Sequence, residues 1–381
     1  MKKKIIIICI VCTVFALFSM AFKSVYATDV KHVADELDMY SLIDTLEDYT
    51  TSKLDIDISS MADDLVTGKG LDYGVIGNFV LDKLFSELRL GLKSMVAILI
   101  VVIIMAIINS LELEKDNSVS KISSLVGFLV IVTISLKSYF VMLDVFTDTV
   151  TLLTSIIEVI APFMLGILIA TGEIVTSGII GPVLLFVTSL VGVLVSYIIV
   201  PLLNISLVFK IITNMSDSIK LDKFAKSFSS ASMWIISVVF ALFLGVMELE
   251  SSVATSLDEV AVKTTQAAVS NLVPVVGKFV SDSLEVVMGA SEVIGKSVGI
   301  LGIVIMVVIA LIPIIKLLIY SLMYFVLASA SELLNTDEKI MNLCDLISKQ
   351  YKTLLGIMVG VMITFVIGLG IVINLMGKVG S

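Results

Sequence analysis

Apolar residues along this chain gather into long uninterrupted runs, with no sign of the alternation expected of half-buried strands. Candidate membrane spans are 95–111, 122–143, 152–171, 179–200, 233–247, 298–327 and 354–376. Most approach the roughly 20 residues needed to cross a hydrocarbon core as a helix. Two are atypical. Ile174 to Phe209 is uncharged for 36 residues and contains Gly181-Pro182 and Pro201, long for one span and short for two. A tilted helix followed by a half-helix fits that stretch, and a re-entrant passage is the alternative. The run 298–327 carries Pro313 and Lys316 near its middle, which predicts a broken or kinked helix.

Between these runs lie two polar segments with helical periodicity. Residues 28–93 hold fourteen acidic and six basic side chains, a balance of −8, so nearly all of the formal charge of −9 sits there. Leu37, Tyr40, Ile43 and Leu46 mark one apolar stripe. Thr67-Gly68-Lys69-Gly70 interrupts it, and a second amphipathic helix is expected from about Gly77 to Leu92. Residues 248–297 form the other segment. Val253, Leu257, Val260 and Leu272 stripe one helix, Pro274 ends it, and Val276, Val280, Val287 and Ile294 stripe a second. That is an amphipathic αα-hairpin, with Pro274 and Gly277 assigned to its reversal because glycine tolerates backbone angles closed to larger residues.

Composition sharpens the class. The chain is 58% hydrophobic and 15% charged, against about 25% charged in soluble domains. The expectation is an all-α, polytopic membrane protein. Lys2, Lys3 and Lys4, the apolar run Ile5 to Met20 and Val25-Tyr26-Ala27 read as a signal peptide cleaved after Ala27, with an uncleaved anchor as the alternative. The expected organisation is a signal at 1–27, an exported acidic helical domain at 28–93, and membrane helices at 94–247. The hairpin at 248–297 and the last membrane helices at 298–381 complete it.

With the N-terminal segment exported, residues 112–121 face the cytoplasm and 144–151 the outside. The region 210–230 then presents a conflict. Its Lys210, Lys220, Lys223 and Lys226 argue for the cytoplasm, whereas counting single spans puts it outside.

Candidate chemistry is sparse. GxxxxGK[ST], HExxH, CxxC and GxSxG are absent. Asp55, Asp57, Asp63 and Asp64 lack the glycine and closing glutamate of a calcium loop. A signal cleaved after Ala27 would leave Cys344 as the one cysteine, and His32 is the only histidine, so a thiol–imidazole pair is not expected. No enzyme activity, cofactor or metal is expected. One arginine in an acidic chain argues against nucleic acid.

The informative charges lie inside apolar runs: Lys137, Glu158 and Lys316. An ion at bilayer depth costs at least about 2.5–3.5 kcal/mol on insertion scales and usually faces protein or water. The three could line a polar path, with Glu158 as a partner for Lys316; the plain alternative is snorkelling, strongest for Lys137. Gly356 and Gly360 form GxxxG, which suits close helix packing within the chain first and a homo-oligomer second.

From Leu257 to Leu311 the chain resembles the stage III sporulation protein AE family of endospore-forming bacteria. The resemblance rests on Lys263-Thr264, Val273-Pro274-Val275-Val276-Gly277, Ser281-Asp282, Gly289, Ile294-Gly295-Lys296 and Gly299, and on the order of parts over nearly the whole length. It implies a role in sporulation, as a platform or channel subunit of a secretion-like complex joining mother cell and forespore. Other stage III sporulation A operon products would be its partners: membrane and ring-forming proteins and an ATPase, with a forespore-membrane channel protein reached indirectly. The implied location is the mother-cell-derived outer forespore membrane, with the mature N-terminus in the intermembrane space. A self-sufficient secondary transporter of a small molecule or ion is the alternative, in which Lys137, Glu158 and Lys316 would couple the solute.

Overall fold

The computed structural model describes residues 43–46, 73–111, 118–215, 221–272, 276–334 and 336–376. The signal region, His32, the Asp55–Asp64 carboxylates and Pro274 lie outside the described residues. Ile43 and Leu46, from the expected first amphipathic stripe, are buried in the main apolar core.

Every regular element among the described residues is helical. They are α1 (Tyr73–Leu111), α2 (Ser118–Ala170), α3 (Ile174–Leu194), a π-helical turn (Val195–Ile199), α4 (Val200–Met215), α5 (Asp222–Leu272), α6 (Val276–Leu333) and α7 (Glu338–Leu375). Six stretches among them are long and apolar enough to cross a membrane. The protein is a multi-pass, all-helical membrane protein.

The first correction concerns α2. Two spans and an external loop at 144–151 were expected there, but the helix is unbroken for 53 residues. The loop reading rested on polarity, yet the polar residues are mostly threonines that satisfy their hydroxyls within the helix. Thr147, Thr149, Thr151 and Thr154 each donate to the carbonyl four residues back, at 2.8–3.0 Å. Phe146 and Val150 are buried on the inner face. No glycine or proline interrupts 144–151, so nothing stops propagation.

Helix α2 ends where a backbone exception allows it. Gly172 adopts φ 89°, a region closed to most side chains, and the Glu173 amide then reaches back to the Leu168 carbonyl at 2.8 Å. The chain reverses within three residues into α3.

The second correction is at Ile174 to Phe209. No re-entrant break occurs; α3, the π-turn and α4 form one apolar stretch, Ile174–Met215. Pro201 comes two residues after the end of the π-turn, and a wider turn is one way a helix accommodates a residue without an amide donor.

Pro313 does not break α6 either, and Pro162 and Pro182 are likewise interior to their helices. The region of the expected hairpin continues two membrane helices: α5 runs on to Leu272 and α6 begins at Val276. Gly277 is therefore the second residue of a helix, not part of the reversal.

Helix α6 is the axis of the bundle, touching α7, α2 and α1 more than any other element does. Its glycines let neighbours close in. An added Cβ on Gly299 would lie 2.5 Å from Cγ1 of Ile373 and 2.7 Å from Cε of Met164. One on Gly295 would lie 2.6 Å from Sδ of Met376 and 2.8 Å from Cγ2 of Ile167. By contrast, Gly356 and Gly360 of the GxxxG pair face Met233 and Ile236 of α5 at 3.0 and 3.8 Å. They serve packing within the chain.

Candidate functional site

Contacts along α6 fix the height of every other helix. Towards its start, Gly299 and Gly302 meet α7 at Ile373 and Leu369, and α2 at Met164 and Ile160. Towards its end, Ser321 meets Ser348 of α7, Tyr324 meets Ser135 of α2, and Gly91 of α1 lies against Ile319 and Met323. Lys316 sits between these two zones. From this level towards the end of α6 the charges and hydroxyls of five helices collect.

Lys316 is partly buried, its side chain 22% exposed, and its ammonium lies 3.1 Å from Oε1 of Glu87 on α1, itself 13% exposed. Glu158 was the expected partner. It is instead exposed on α2, beside Ile160, which reaches Gly302; Gly302 is fourteen residues, or roughly 21 Å along a helix, from Lys316. Lys137 is also exposed. The three candidate path residues therefore do not converge. The ammonium of Lys316 faces protein, as its cost in lipid demands.

Next to this pair lies a polar cluster that sequence reasoning did not identify. Tyr139, Tyr324 and Tyr351 are fully or almost fully buried. Tyr351 stacks on Tyr324 at 5.7 Å between centroids, tilts on Tyr320 at 5.6 Å and meets the edge of Tyr139 at 6.0 Å. The Tyr324 hydroxyl donates to Oγ of Ser135 at 3.0 Å. Ser348 Oγ donates to the Ser321 carbonyl at 2.8 Å, joining α7 to α6.

Gln350 completes the cluster. Its Nε2 donates to the Leu203 carbonyl at 3.0 Å, with Tyr139 Oη at 3.5 Å, while its Oε1 accepts from Nζ of Lys210 at 2.9 Å. One buried amide thus ties α7 to α4 and α2. The Tyr351 hydroxyl and Oδ1 of Asn204 are buried and find no hydrogen-bond partner among the described residues. A signal for the cluster was present: Tyr320, Ser321 and Tyr324 recur at helical spacing inside an apolar run, and Gln350-Tyr351 precedes another. Glu87 carried none, because α1 reads as an ordinary amphipathic helix at that point.

Lys210 also opens onto the surface. With Thr213, Asn214, Asp222, Asp337, Lys339 and their neighbours it lines a polar recess of about 520 Å³. Asn214 Nδ2 donates to the Lys339 carbonyl at 2.7 Å across its floor. Asp337 caps α7 by accepting from the Lys339 amide at 2.8 Å. Cys344 is a free thiol buried in the core. Among the described residues no group of three His, Cys, Asp or Glu side chains is placed to hold a metal ion.

The stage III sporulation protein AE family matches residues 56–376, a range that takes in all six apolar stretches. The stage III sporulation protein AE of Bacillus subtilis (strain 168) is 27% identical over 292 residues, covering 76% of this chain and 73% of the relative. No solved structure matches. A family match over most of the chain, with the close-approach glycines of α6 inside it, places the protein: it belongs to the stage III sporulation protein AE family.

Proposed function

We propose that this protein is a membrane platform or channel subunit of a transenvelope, secretion-like complex that links mother cell and forespore during sporulation. The observation that carries the reading is the family match over 56–376, which supports a sporulation role. The sequence carries no nucleotide-binding motif, so energy would come from a partner ATPase on the mother-cell side. Other stage III sporulation A proteins would supply that ATPase and the rings. The protein works without a cofactor and is not an enzyme.

The fold supports an orientation. With 122–171 in one helix instead of two spans, the count from an exported N-terminus changes by one at every later turn. Lys210, Lys220, Lys223 and Lys226 then fall on the cytoplasmic side, as the positive-inside bias requires, and the conflict in the sequence disappears. The acidic arms 248–297 fall on the exported side. In a sporulating cell the recess and its lysines would then face the mother cell, and the arms the space between the two membranes of the forespore.

Deletion of the gene in its own host tests the reading. Heat-resistant spores should be lost after engulfment, with vegetative growth unchanged, and a tagged copy should retain the partner ATPase through detergent extraction. Normal spore counts from the deletion strain would sink the proposal. So would solute flux by the purified protein alone, which is the behaviour of a self-sufficient transporter.

A further inference from the structure

Helix α2 carries a polar stripe on its outer face. Lys137, Asp144, Asp148, Thr151 and Glu158 are exposed and follow one another at intervals of seven, four, three and seven residues, which aligns them along one side of a helix. Half-buried Ser155 lies in the same line. From Asp144 to Glu158 the stripe is fourteen residues long, roughly 21 Å of helix. Its hydroxyl protons are spent within the helix: Thr151 donates to the Thr147 carbonyl at 3.0 Å and Ser155 to the Thr151 carbonyl at 3.2 Å. What this part of the stripe presents outward is therefore acceptors, the carboxylate oxygens and hydroxyl lone pairs. Among the described residues no ion pair reaches Asp144, Asp148 or Glu158.

The stripe stands at membrane depth. Tyr139 of α2 meets Tyr351 of α7, while Ile160 of α2 and Leu369 of α7 meet the same Gly302 of α6. Met233 and Phe243 of α5 lie against Gly356 and Gly368 of α7. Asp144 to Glu158 therefore run beside 356–368 of α7 and 233–243 of α5. Helix α7 carries no charge from 353 to 377 and α5 none from 227 to 247, and each of these stretches is long enough to cross a hydrocarbon core. In that layer a carboxylate costs about 2.5–3.5 kcal/mol on insertion scales, and ions there face protein or water. Lipid does not cover three of them on one face at that cost. Water at this depth must itself be walled off from lipid, so protein lies over the stripe either way.

We propose that the outer face of α2 docks a transmembrane helix of a different protein, one that carries lysine or arginine inside its apolar run. The charge of the stripe selects the occupant. Copies of this chain in one membrane share one orientation, so pairing the face with itself sets Asp144 level with Asp144 and acceptor against acceptor, leaving like charges buried. No other face of a second copy supplies the missing donors. Within this layer its cation is Lys316, already held by Glu87, and its Lys137 stands seven residues, roughly 10 Å, below Asp144. A foreign helix needs one cation near the level of Asp144 and Asp148. A second belongs near Glu158, ten residues or roughly 15 Å beyond Asp148. Charge-assisted hydrogen bonds then satisfy both partners. This rests on the reading of the protein as a subunit of a larger assembly and names the surface on which one membrane partner sits.

The test is photo-crosslinking of the full chain in its sporulating host, with p-benzoylphenylalanine placed at Thr151 or at Phe186, which is exposed on α3. The probe at 151 should give one discrete adduct whose joined peptide, read by mass spectrometry, is an apolar run of another protein containing lysine or arginine. The probe at 186 should not give that adduct. The triple change Asp144→Asn, Asp148→Asn, Glu158→Gln should reduce the adduct at least tenfold while the amount of inserted protein stays the same, and Asp148→Glu alone should keep it. The proposal is overturned if the probe at 151 traps no protein, traps a second copy of this chain, or traps a peptide without a basic residue. Survival of the adduct in the triple variant overturns it too, as does the same adduct from 186. Spore counts of the deletion strain decide the proposed function separately: spores lost on deletion, with no adduct at 151, would sink this inference alone.

Discussion

Nζ of Lys316 lies 3.1 Å from Oε1 of Glu87, and this contact ties the central helix of the bundle to the helix that follows the acidic N-terminal segment. It joins residues 229 positions apart in the sequence, beside the contacts that Leu84, Gly91 and Met95 of α1 make with Ile315, Ile319 and Met323 of α6. A partly buried pair of this kind adds little net stability over apolar residues of the same size, but each charge depends on the other.

Lys316→Leu should therefore destabilise the protein by about 3 kcal/mol by leaving Glu87 without its partner. The double variant Glu87→Leu, Lys316→Leu should recover most of that loss, and Lys316→Arg should be milder than Lys316→Leu. A double-mutant cycle on thermal unfolding in detergent measures all three. Full additivity of the single changes would show that the contact carries no coupling.

Gln350→Leu removes one amide that serves three helices and leaves the ammonium of Lys210 without an acceptor. We expect a loss of about 2–3 kcal/mol, the range for a hydrogen bond to a charged group plus its desolvation. Gln350→Glu should retain the join, since a carboxylate also accepts from Lys210. Limited proteolysis at the turn between α4 and α5 reads the difference, and equal protection of wild type and Gln350→Leu would contradict the role given to this side chain.

Gly299→Ala should cost about 1–3 kcal/mol, because the new methyl meets Cγ1 of Ile373, an atom near the backbone that cannot swing away. Gly370→Ala should be neutral or slightly stabilising, since nothing lies within 4 Å of its Cβ position. Thermal midpoints of the two purified variants should diverge accordingly; equal midpoints would show that α6 and α7 part easily.

A cysteine at Ser218 should be modified by an impermeant thiol reagent only after the membrane is opened to the cytoplasm, and one at Ser283 from the outside. The reverse pattern would show that the single passage of α2 has been assigned the wrong way round.

Much of the architecture is legible in the amino-acid order. Run length and the scarcity of charge establish a helical membrane protein, because each apolar stretch must satisfy its own backbone in lipid. The acidic N-terminal segment, the polar arms on either side of Pro274 and the isolated Lys316 are visible for the same reason: hydropathy and periodicity are properties of neighbours along the chain. Only the folded bundle decided that 144–151 is helix, since the threonines that look like a loop bond to carbonyls of their own turn. It alone paired Lys316 with Glu87 instead of Glu158, and it set Gly295 and Gly299, rather than Gly356 and Gly360, at the closest approach. Each of these depends on the relative height of two helices, and height is fixed by side chains interlocking across the bundle. No local pattern in either helix contains that information.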